Sequence, residues 1–134
     1  MKRYQNYILG NWEDGSGEET LLFNSITGAA IGSVSSAGIN FSEVLEYGRT
    51  KGGSVLRKMT FQERGRMLKA LALHLLEQKE KYYEVSSWTG ATKIDSWIDI
   101  EGGIGNLFAN ASLRKQFPDL PYYVDGSAVP LSKN

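Results

Sequence analysis

The spacing of apolar residues changes along the chain and divides it into a β-rich beginning, a helical middle and a short end. Residues 4–12 alternate loosely between apolar and polar and are rich in Tyr, Ile and Trp, which predicts a strand. Turn-forming residues follow at 14–17, and short apolar runs return at 21–23 and 29–35. The pattern therefore predicts a small β meander over about residues 4–35.

After residue 40 the apolar positions recur every three or four residues, which is the period of an amphipathic helix. A first helix is predicted over about residues 40–54, where Asn40 or Ser42 is available to cap the first turn. Gly52 and Gly53 interrupt or end this helix, because glycine is a poor helix former.

The clearest local signal in the chain begins at Thr60. Thr60 and Glu63 have the spacing of a capping box, in which each side chain accepts a hydrogen bond from the main-chain amide of the other residue. An apolar stripe follows, and Thr89-Gly90 stands where a helix end is expected. A second helix is therefore predicted over about residues 60–87.

A third helix is predicted over about residues 92–115, with Asp95 in its first turn, where a negative charge is favourable. Pro118 and Pro121 then stop helical structure. Tyr122 to Gly126 is a β-prone segment whose partner strand is not obvious. The predicted fold class is an α+β fragment, in which a β meander precedes three helices and a C-terminal β-prone segment.

The composition is that of a globular domain and indicates no highly charged partner. The chain has 134 residues, and 15 Lys and Arg balance 15 Asp and Glu, so nothing favours nucleic acid or an anionic membrane. The absence of cysteine excludes disulfides, thiolate metal sites and a cysteine nucleophile in this chain. Since the first residues have the pattern of neither a signal peptide nor a membrane span, a cytoplasmic protein is predicted.

Three glycines stand within four residues in the segment DIEGGIGNLF, at positions 102, 103 and 105. A dinucleotide-binding loop needs the spacing G-x-G-x-x-G after a buried strand. Gly103 and Gly105 match the first two glycines, but Phe108 stands at the third, and no Lys-Ser or Lys-Thr follows as in a Walker loop. A phosphate-binding loop is therefore disfavoured, and a helix is favoured.

A helix with these glycines needs a compensating contact. Each interior glycine destabilises a helix by about 0.8–1 kcal/mol relative to alanine, so three of them cost about 2.5–3 kcal/mol. Gly102, Gly105, Ala109 and Ser112 share one helical face, and such a stripe of small residues lets another element approach the helix backbone closely. The predicted partner of the stripe is either the second helix or a sheet that this chain does not contain.

No other residue has the surroundings of a catalytic group. His74 is the only histidine, and we expect it to be partly buried at the edge of the apolar stripe. Asp95 and Asp99 have the spacing of a carboxylate pair, for which a solvated helix face is the ordinary explanation, and capping accounts for Glu63. No catalytic, cofactor-binding or metal-ligating residue is therefore predicted in this chain.

The linear order of several short motifs resembles the N-terminal part of the aldehyde dehydrogenase superfamily, over nearly the whole chain. Family members commonly have Pro after the Asn of the second motif, where this chain has Ser25, and the difference is expected to loosen that turn. The motifs are Tyr7–Trp12, Phe23–Gly28, Ile31–Ser35, Glu63-Arg64 and Thr89–Thr92.

A closer similarity is to the aldehyde dehydrogenase part of the bifunctional ring-opening proteins of phenylacetate degradation. Residues 89–105, 124–126 and 130–133 carry it. The resemblance implies a parent oxidoreductase that oxidises a CoA-linked semialdehyde, with NADP or NAD as the cofactor.

The resemblance also implies what this chain lacks. The nucleophilic cysteine of the family, its glutamate base and its oxyanion-binding asparagine lie C-terminal to the matched region, as does the cofactor-binding sheet. The 134 residues are then one incomplete domain, the N-terminal portion of a cofactor-binding domain, and residues 120–134 begin the oligomerisation hairpin. The chain alone is expected to be inactive and to bind no cofactor. Its expected partners are the remainder of the dehydrogenase polypeptide and further copies in a homo-oligomer.

Two alternatives stay open. A free-standing interaction or oligomerisation module derived from a dehydrogenase N-terminus would also lack turnover, but it would fold cooperatively by itself. A small enzyme that uses Asp95, Asp99 and His74 for acid-base chemistry would lose its activity when those side chains are removed.

Overall fold

The structure, a computed structural model, describes residues 1–127. The strands are β1 (Lys2–Tyr4), β2 (Asn6–Ile8), β3 (Asn11–Glu13), β4 (Thr20–Phe23) and β5 (Ala30–Val34). The helices are α1 (Phe41–Tyr47), α2 (Gly53–Lys58), α3 (Phe61–Glu77), α4 (Lys79–Trp88) and α5 (Lys93–Ser112). The α+β class is confirmed, and short strands followed by helices are what a fragment of an α/β domain contains.

The strands form two small sheets instead of one meander. β1 pairs in parallel with β5, and β5 pairs antiparallel with β4, whereas β2 and β3 form a separate antiparallel hairpin. The predicted meander is therefore wrong in its connections. The parallel pair joins Lys2 to Gly32, and pairing across such a distance in sequence leaves no local pattern.

A tight turn at Leu9-Gly10 joins β2 to β3, where one continuous strand was predicted. Both residues have positive φ, 52° at Leu9 and 89° at Gly10, as the two central residues of a type I′ turn do. A left-handed backbone costs a residue such as leucine about 1–2 kcal/mol. Tyr7 and Trp12 face each other across the hairpin with ring centroids 5.1 Å apart, and this aromatic pair helps to offset the cost of the turn.

The turn after β4 connects the strands to the helices. The side-chain oxygen of Asn24 accepts hydrogen bonds from the amides of Ile26 at 2.9 Å and Thr27 at 3.1 Å. The amide of Ser25 donates to the carbonyl oxygen of Trp88, at the end of α4, at 2.8 Å. The expectation that Ser25 loosens this turn is therefore wrong, because its N–H, which a proline lacks, makes a hydrogen bond to another element.

The first helical region is longer than predicted. Asn40 caps α1, and a π-helical turn, Gly48–Gly52, continues into α2, which extends to Lys58. Gly52 and Gly53 have right-handed helical backbone angles, so the predicted interruption at these glycines and the predicted end at residue 54 are wrong. Gly52 ends the π turn and Gly53 begins α2, so the chain passes both glycines without leaving the helical conformation.

The predicted helix over 60–87 is two helices with a break at Gln78. Its start is confirmed, because the Thr60 hydroxyl oxygen accepts from the Glu63 amide at 3.2 Å and the Glu63 carboxylate accepts from the Thr60 amide at 2.8 Å. At Gln78 the backbone has φ −98° and ψ 4°, and its amide donates to the carbonyl oxygen of Leu75. This tighter bond ends α3, and α4 begins at the next residue.

The predicted helix over 92–115 is α5 followed by a 3-10 turn, Leu113–Gln116. Asp95 does more than place a charge in the first turn, since it completes a capping box with Thr92. No strand forms at 122–127, so the prediction of a β structure there is wrong over these residues. Residues 117–121, which precede this segment, lie on α3. Within the segment, the Tyr123 ring packs edge-on against Phe117 with centroids 5.3 Å apart.

The described part of the chain buries few apolar side chains. Its buried hydrophobic residues are Ala72, Ile104 and Ala111, which lie where α3 packs against α5. The chain exposes 10150 Å², whereas a folded monomer of 14.9 kDa is expected to expose about 7,000 Å². The excess of about 3,000 Å² is larger than one partner contributes to a typical stable interface.

Candidate functional site on the outer face of the last helix

Helix α5 presents three different faces. The face towards α3 and α4 is buried or half-buried and contains Ile100, Ile104, Leu107 and Ala111. The outer face is defined here as Ile94, Ile98, Gly102, Gly105 and Ala109, all of which are exposed. A polar face with Asp95, Asp99, Asn106 and Asn110 lies beside it. At 100° per residue the outer face spans a sector of about 80° that carries no charge.

The glycines of the outer face have open space above them. A Cβ added at Gly102, Gly103 or Gly105 would meet nothing within 4 Å. The second predicted helix, now α3 and α4, is therefore not the partner of the small-residue stripe, and that half of the prediction is wrong. The cost of about 2.5–3 kcal/mol for three helical glycines has no compensation within residues 1–127.

Close packing occurs instead at Gly65 of α3. A Cβ there would lie 2.6 Å from Arg114 Cδ, 2.8 Å from Arg114 Cβ and 2.9 Å from the carbonyl oxygen of Ala111. Gly65 is an interior glycine of a predicted helix, which is the signal that could have marked it in the sequence. The missing side chain allows the end of α5 to approach the α3 backbone.

A polar cluster joins α4 to the middle of α5. Glu101 accepts a hydrogen bond from the Tyr83 hydroxyl at 2.8 Å and pairs with Lys79 Nζ at 3.2 Å. The Tyr83 bond, followed by the Lys79 bond, holds the pKa of Glu101 below its ordinary value. Burial, followed by the bond to Glu101, raises the pKa of Tyr83.

The same cluster borders an open cleft of about 460 Å³ between α4 and α5. Lys79 and Glu101 neutralise each other, and Tyr83 uses its proton in the bond to Glu101. The cluster therefore links the two helices through one hydrogen bond and one ion pair. The sequence analysis missed it because Lys79 and Tyr83 meet Glu101 only through tertiary packing.

The acidic and basic candidates from the sequence, His74, Asp95 and Asp99, all lie on exposed helix surface. His74 is exposed, so the expectation that it is partly buried is wrong. Asp95 is engaged in capping, and hydrogen bonds from the Thr92 hydroxyl and then the Thr92 amide hold its pKa below the ordinary value. Asp99 is exposed. Within residues 1–127 no three His, Asp or Glu side chains are grouped to hold a metal ion.

The segment after α5 is held on the first turn of α3 through its carbonyl oxygens. Three donors of α3 reach it, one from the main chain and two from side chains. The bonds run from Gln62 Nε2 to Arg114 O (2.7 Å) and Phe117 O (3.1 Å), from Phe61 N to Leu120 O (3.0 Å), and from Arg64 Nη2 to Pro121 O (3.2 Å). The Phe61 and Phe117 rings also stack with centroids 4.5 Å apart. This segment therefore has a defined path along α3.

No helix within residues 1–127 combines the length and the apolar composition needed to cross a membrane. No protein-family model matches the chain. The order of strands and helices is consistent with a fragment of an α/β domain.

Over most of its length the chain is similar to an aldehyde dehydrogenase. The chain is 35% identical over 129 residues to a 3,4-dehydroadipyl-CoA semialdehyde dehydrogenase of Aromatoleum evansii. The similarity covers 96% of this chain but 25% of the relative, so the chain spans about a quarter of the length of the curated relative it matches. The resemblance to an aldehyde dehydrogenase segment is therefore confirmed.

Proposed function

We propose that this chain forms the first portion of the cofactor-binding domain of an NAD(P)-dependent aldehyde dehydrogenase. The full polypeptide oxidises a CoA-linked semialdehyde, such as one formed in phenylacetate degradation, to the acid. The similarity to a CoA semialdehyde dehydrogenase over 96% of the chain carries the proposal. The excess of exposed surface supports it, because a part of a domain leaves its contact surfaces in solvent when the rest is absent.

In this proposal the chain contributes structure, and the chemistry resides elsewhere in the polypeptide. Oxidation of the aldehyde sends a hydride to the nicotinamide, takes the second carboxylate oxygen from water and releases protons. The attacking thiolate cannot come from this chain, which has no cysteine. Residues 1–134 therefore act by forming the start of the domain and by holding it to the remainder.

The proposal extends to the cofactor, the assembly and the cell compartment. The parent enzyme uses NADP or NAD, forms a homo-oligomer and works in the cytoplasm. Residues 120–134 begin its oligomerisation hairpin, of which residues 128–134 lie outside the described residues.

The test is to purify the native gene product, measure its mass and assay it with a CoA-linked semialdehyde and either NAD or NADP. A polypeptide about four times as long as this chain that reduces the cofactor supports the proposal, in line with the quarter of the relative that is matched. The matched control is the same semialdehyde without CoA, which should react more slowly. A native product of 134 residues that oxidises no aldehyde refutes the proposal.

A second candidate function is a free-standing interaction or oligomerisation module. The segment held on α3 favours it, since these long-range hydrogen bonds close part of the helical region internally. A module unfolds cooperatively and forms an oligomer of defined size, whereas a detached fragment associates irregularly and binds a hydrophobic dye. Light scattering and dye fluorescence on the 134-residue chain distinguish the two.

A further inference from the structure

We propose that a cavity beside the crossing of α3 and α5 binds a small organic carboxylate. The anionic group of this ligand lies at Arg64, and its aromatic or branched apolar body lies among the neighbouring side chains. All residues that line the cavity fall within residues 61–117. The inference is therefore independent of the proposed function, which concerns chemistry elsewhere in the polypeptide.

The cavity lies between the first two turns of α3 and the end of α5, and its volume is about 270 Å³. Phe61, Leu68, Leu113 and Phe117 provide its large apolar side chains. The Phe61 and Phe117 rings stack with centroids 4.5 Å apart, which fixes one wall. Sites for drug-sized ligands have volumes of about 300–1,000 Å³, so this cavity suits a smaller molecule with a single ring.

Arg64 brings an unused hydrogen-bond donor to the cavity that it lines. Its Nη2 donates to the carbonyl oxygen of Pro121 at 3.2 Å, and its Cζ lies 4.3 Å from the centroid of the Phe61 ring. Its Nε is shielded from solvent and has no hydrogen-bond partner within residues 1–127. A shielded N–H that has lost its water needs an acceptor, and a carboxylate oxygen in the cavity would supply one.

The charge around the cavity favours an anion. Arg64 and Arg114 both line it, and none of the described residues that line it is acidic. Neither arginine forms an ion pair with an acidic side chain of residues 1–127. Arg114 Nη1 donates to the carbonyl oxygen of Ala111 at 2.7 Å, which holds the guanidinium in place without neutralising it. Two uncompensated positive charges at the wall of a partly apolar cavity attract a negative ligand.

The positive charge continues past Arg114. A second cavity, of about 200 Å³, is also lined by Arg114 and adds Lys69 and Lys115, and again no described residue that lines it is acidic. The end of α5 therefore presents a local excess of positive charge, although the whole chain has a formal net charge of zero.

The apolar walls favour an organic carboxylate over inorganic phosphate. A bare phosphate would lose hydration against the phenylalanine and leucine side chains and gain nothing from them. A carboxylate with an apolar body places its charge at the guanidinium and buries its body against those side chains. The guanidinium is also planar and forms directed hydrogen bonds with carboxylate oxygens.

The experiment titrates benzoate into the native protein at neutral pH and follows the ligand by saturation-transfer NMR. We expect a Kd of about 0.1–1 mM, which a ligand of this size can reach. Benzamide keeps the shape of benzoate and loses its charge, whereas acetate keeps the charge and loses the ring. Each of these two controls should bind at least about tenfold more weakly than benzoate.

Two variants assign the binding to this cavity. Arg64→Met keeps an apolar stem and removes the guanidinium, so it should weaken benzoate binding about 10- to 100-fold. Arg66→Met is the matched control, because Arg66 is on the same helix, is exposed and does not line the cavity. It should change the affinity by less than about twofold. If Arg64→Met does not fold, Arg114→Met provides the same contrast, and the comparison of benzoate with benzamide needs no variant.

Four outcomes would overturn the inference. Benzoate that binds no more tightly than benzamide shows that the charge is not recognised. Equal losses of affinity in Arg64→Met and Arg66→Met show a diffuse attraction without a site. An affinity that neither Arg64→Met nor Arg114→Met changes places benzoate elsewhere, and a native protein that binds no benzoate has this cavity closed or filled. None of these measurements uses dehydrogenase activity, so the proposed function is tested separately.

Discussion

Replacing Gly65 by alanine tests the close crossing of α3 and α5. The new Cβ would lie 2.8 Å from Arg114 Cβ and 2.9 Å from the carbonyl oxygen of Ala111. Neither atom is the free end of a side chain, so relief requires the turn Leu113–Gln116 to move away from α3. That movement would also stretch the 2.7 Å hydrogen bond between Gln62 and Arg114.

The expected magnitude is the difference between two opposing effects. Overpacking costs about 1–3 kcal/mol, and the better helix propensity of alanine returns about 0.8–1 kcal/mol. We therefore expect Gly65→Ala to lower the free energy of unfolding by about 1 kcal/mol. Gly103→Ala, which has open space, should raise it by about 0.8–1 kcal/mol and is the control.

Urea unfolding of the purified protein, followed by circular dichroism and by tryptophan fluorescence, measures both changes. The two variants should move the midpoint in opposite directions, with a separation that corresponds to about 2 kcal/mol. A Gly65→Ala protein that is stabilised as much as Gly103→Ala would show that the α3–α5 crossing is looser than the structure has it. The explanation of Gly65 as a packing glycine would then be abandoned.

Thr92→Ala removes a capping box and should lower the free energy of unfolding by about 1 kcal/mol. Thr92→Ser keeps the hydroxyl and should leave the free energy of unfolding almost unchanged. Equal losses of stability for the two variants in urea unfolding would contradict this explanation. The pKa of Glu101 is lower in the folded state than its ordinary value of 4.5. The ionised Glu101 therefore stabilises the fold fully above that ordinary value, and the stabilisation is lost as the pH falls through the folded pKa. Glu101→Gln should therefore make the free energy of unfolding fall less steeply between about pH 6 and pH 3. The same pH dependence in the variant and the original protein would show that the Glu101 hydrogen bonds do not stabilise the fold. Leu9→Asn should raise stability by about 1 kcal/mol, since asparagine tolerates positive φ, and a thermal melt that shows no gain would argue against the type I′ turn.

Local chemistry could be predicted from the sequence with good results. The capping box at Thr60 was predicted because both of its partners lie within one turn, and the structure confirms it. The type I′ turn at Leu9-Gly10 was missed because leucine is not a residue that signals positive φ. The aromatic pair of Tyr7 and Trp12, which helps to offset the strain at Leu9, lies outside the turn. The break at Gln78 was missed because no glycine or proline marks it.

Long-range relations were beyond a single sequence. The parallel pairing of β1 with β5 depends on the chain returning to its own start, for which no spacing rule exists. The sequence could show that a glycine stripe needs a partner, but it could not tell a contact inside the chain from one outside. The structure separates the two cases at Gly65 and Gly105, which have the same residue type and opposite surroundings. For the same reason the cluster around Glu101 was not anticipated.

The segment after α5 is held on α3 by its main-chain carbonyl oxygens and by the stacking of Phe117 on Phe61. The donors of α3 reach carbonyl oxygens only, and proline keeps its carbonyl although it lacks an N–H. Pro118 and Pro121 can therefore stand in the segment without losing a single contact to α3, and their rings restrict the unbound chain to few conformations. An alanine scan of residues 118–121 would therefore disturb this attachment chiefly by freeing the backbone. The two prolines stiffen a stretch whose hydrogen bonds to α3 use main-chain oxygens, while Phe117 before it supplies the side-chain contact.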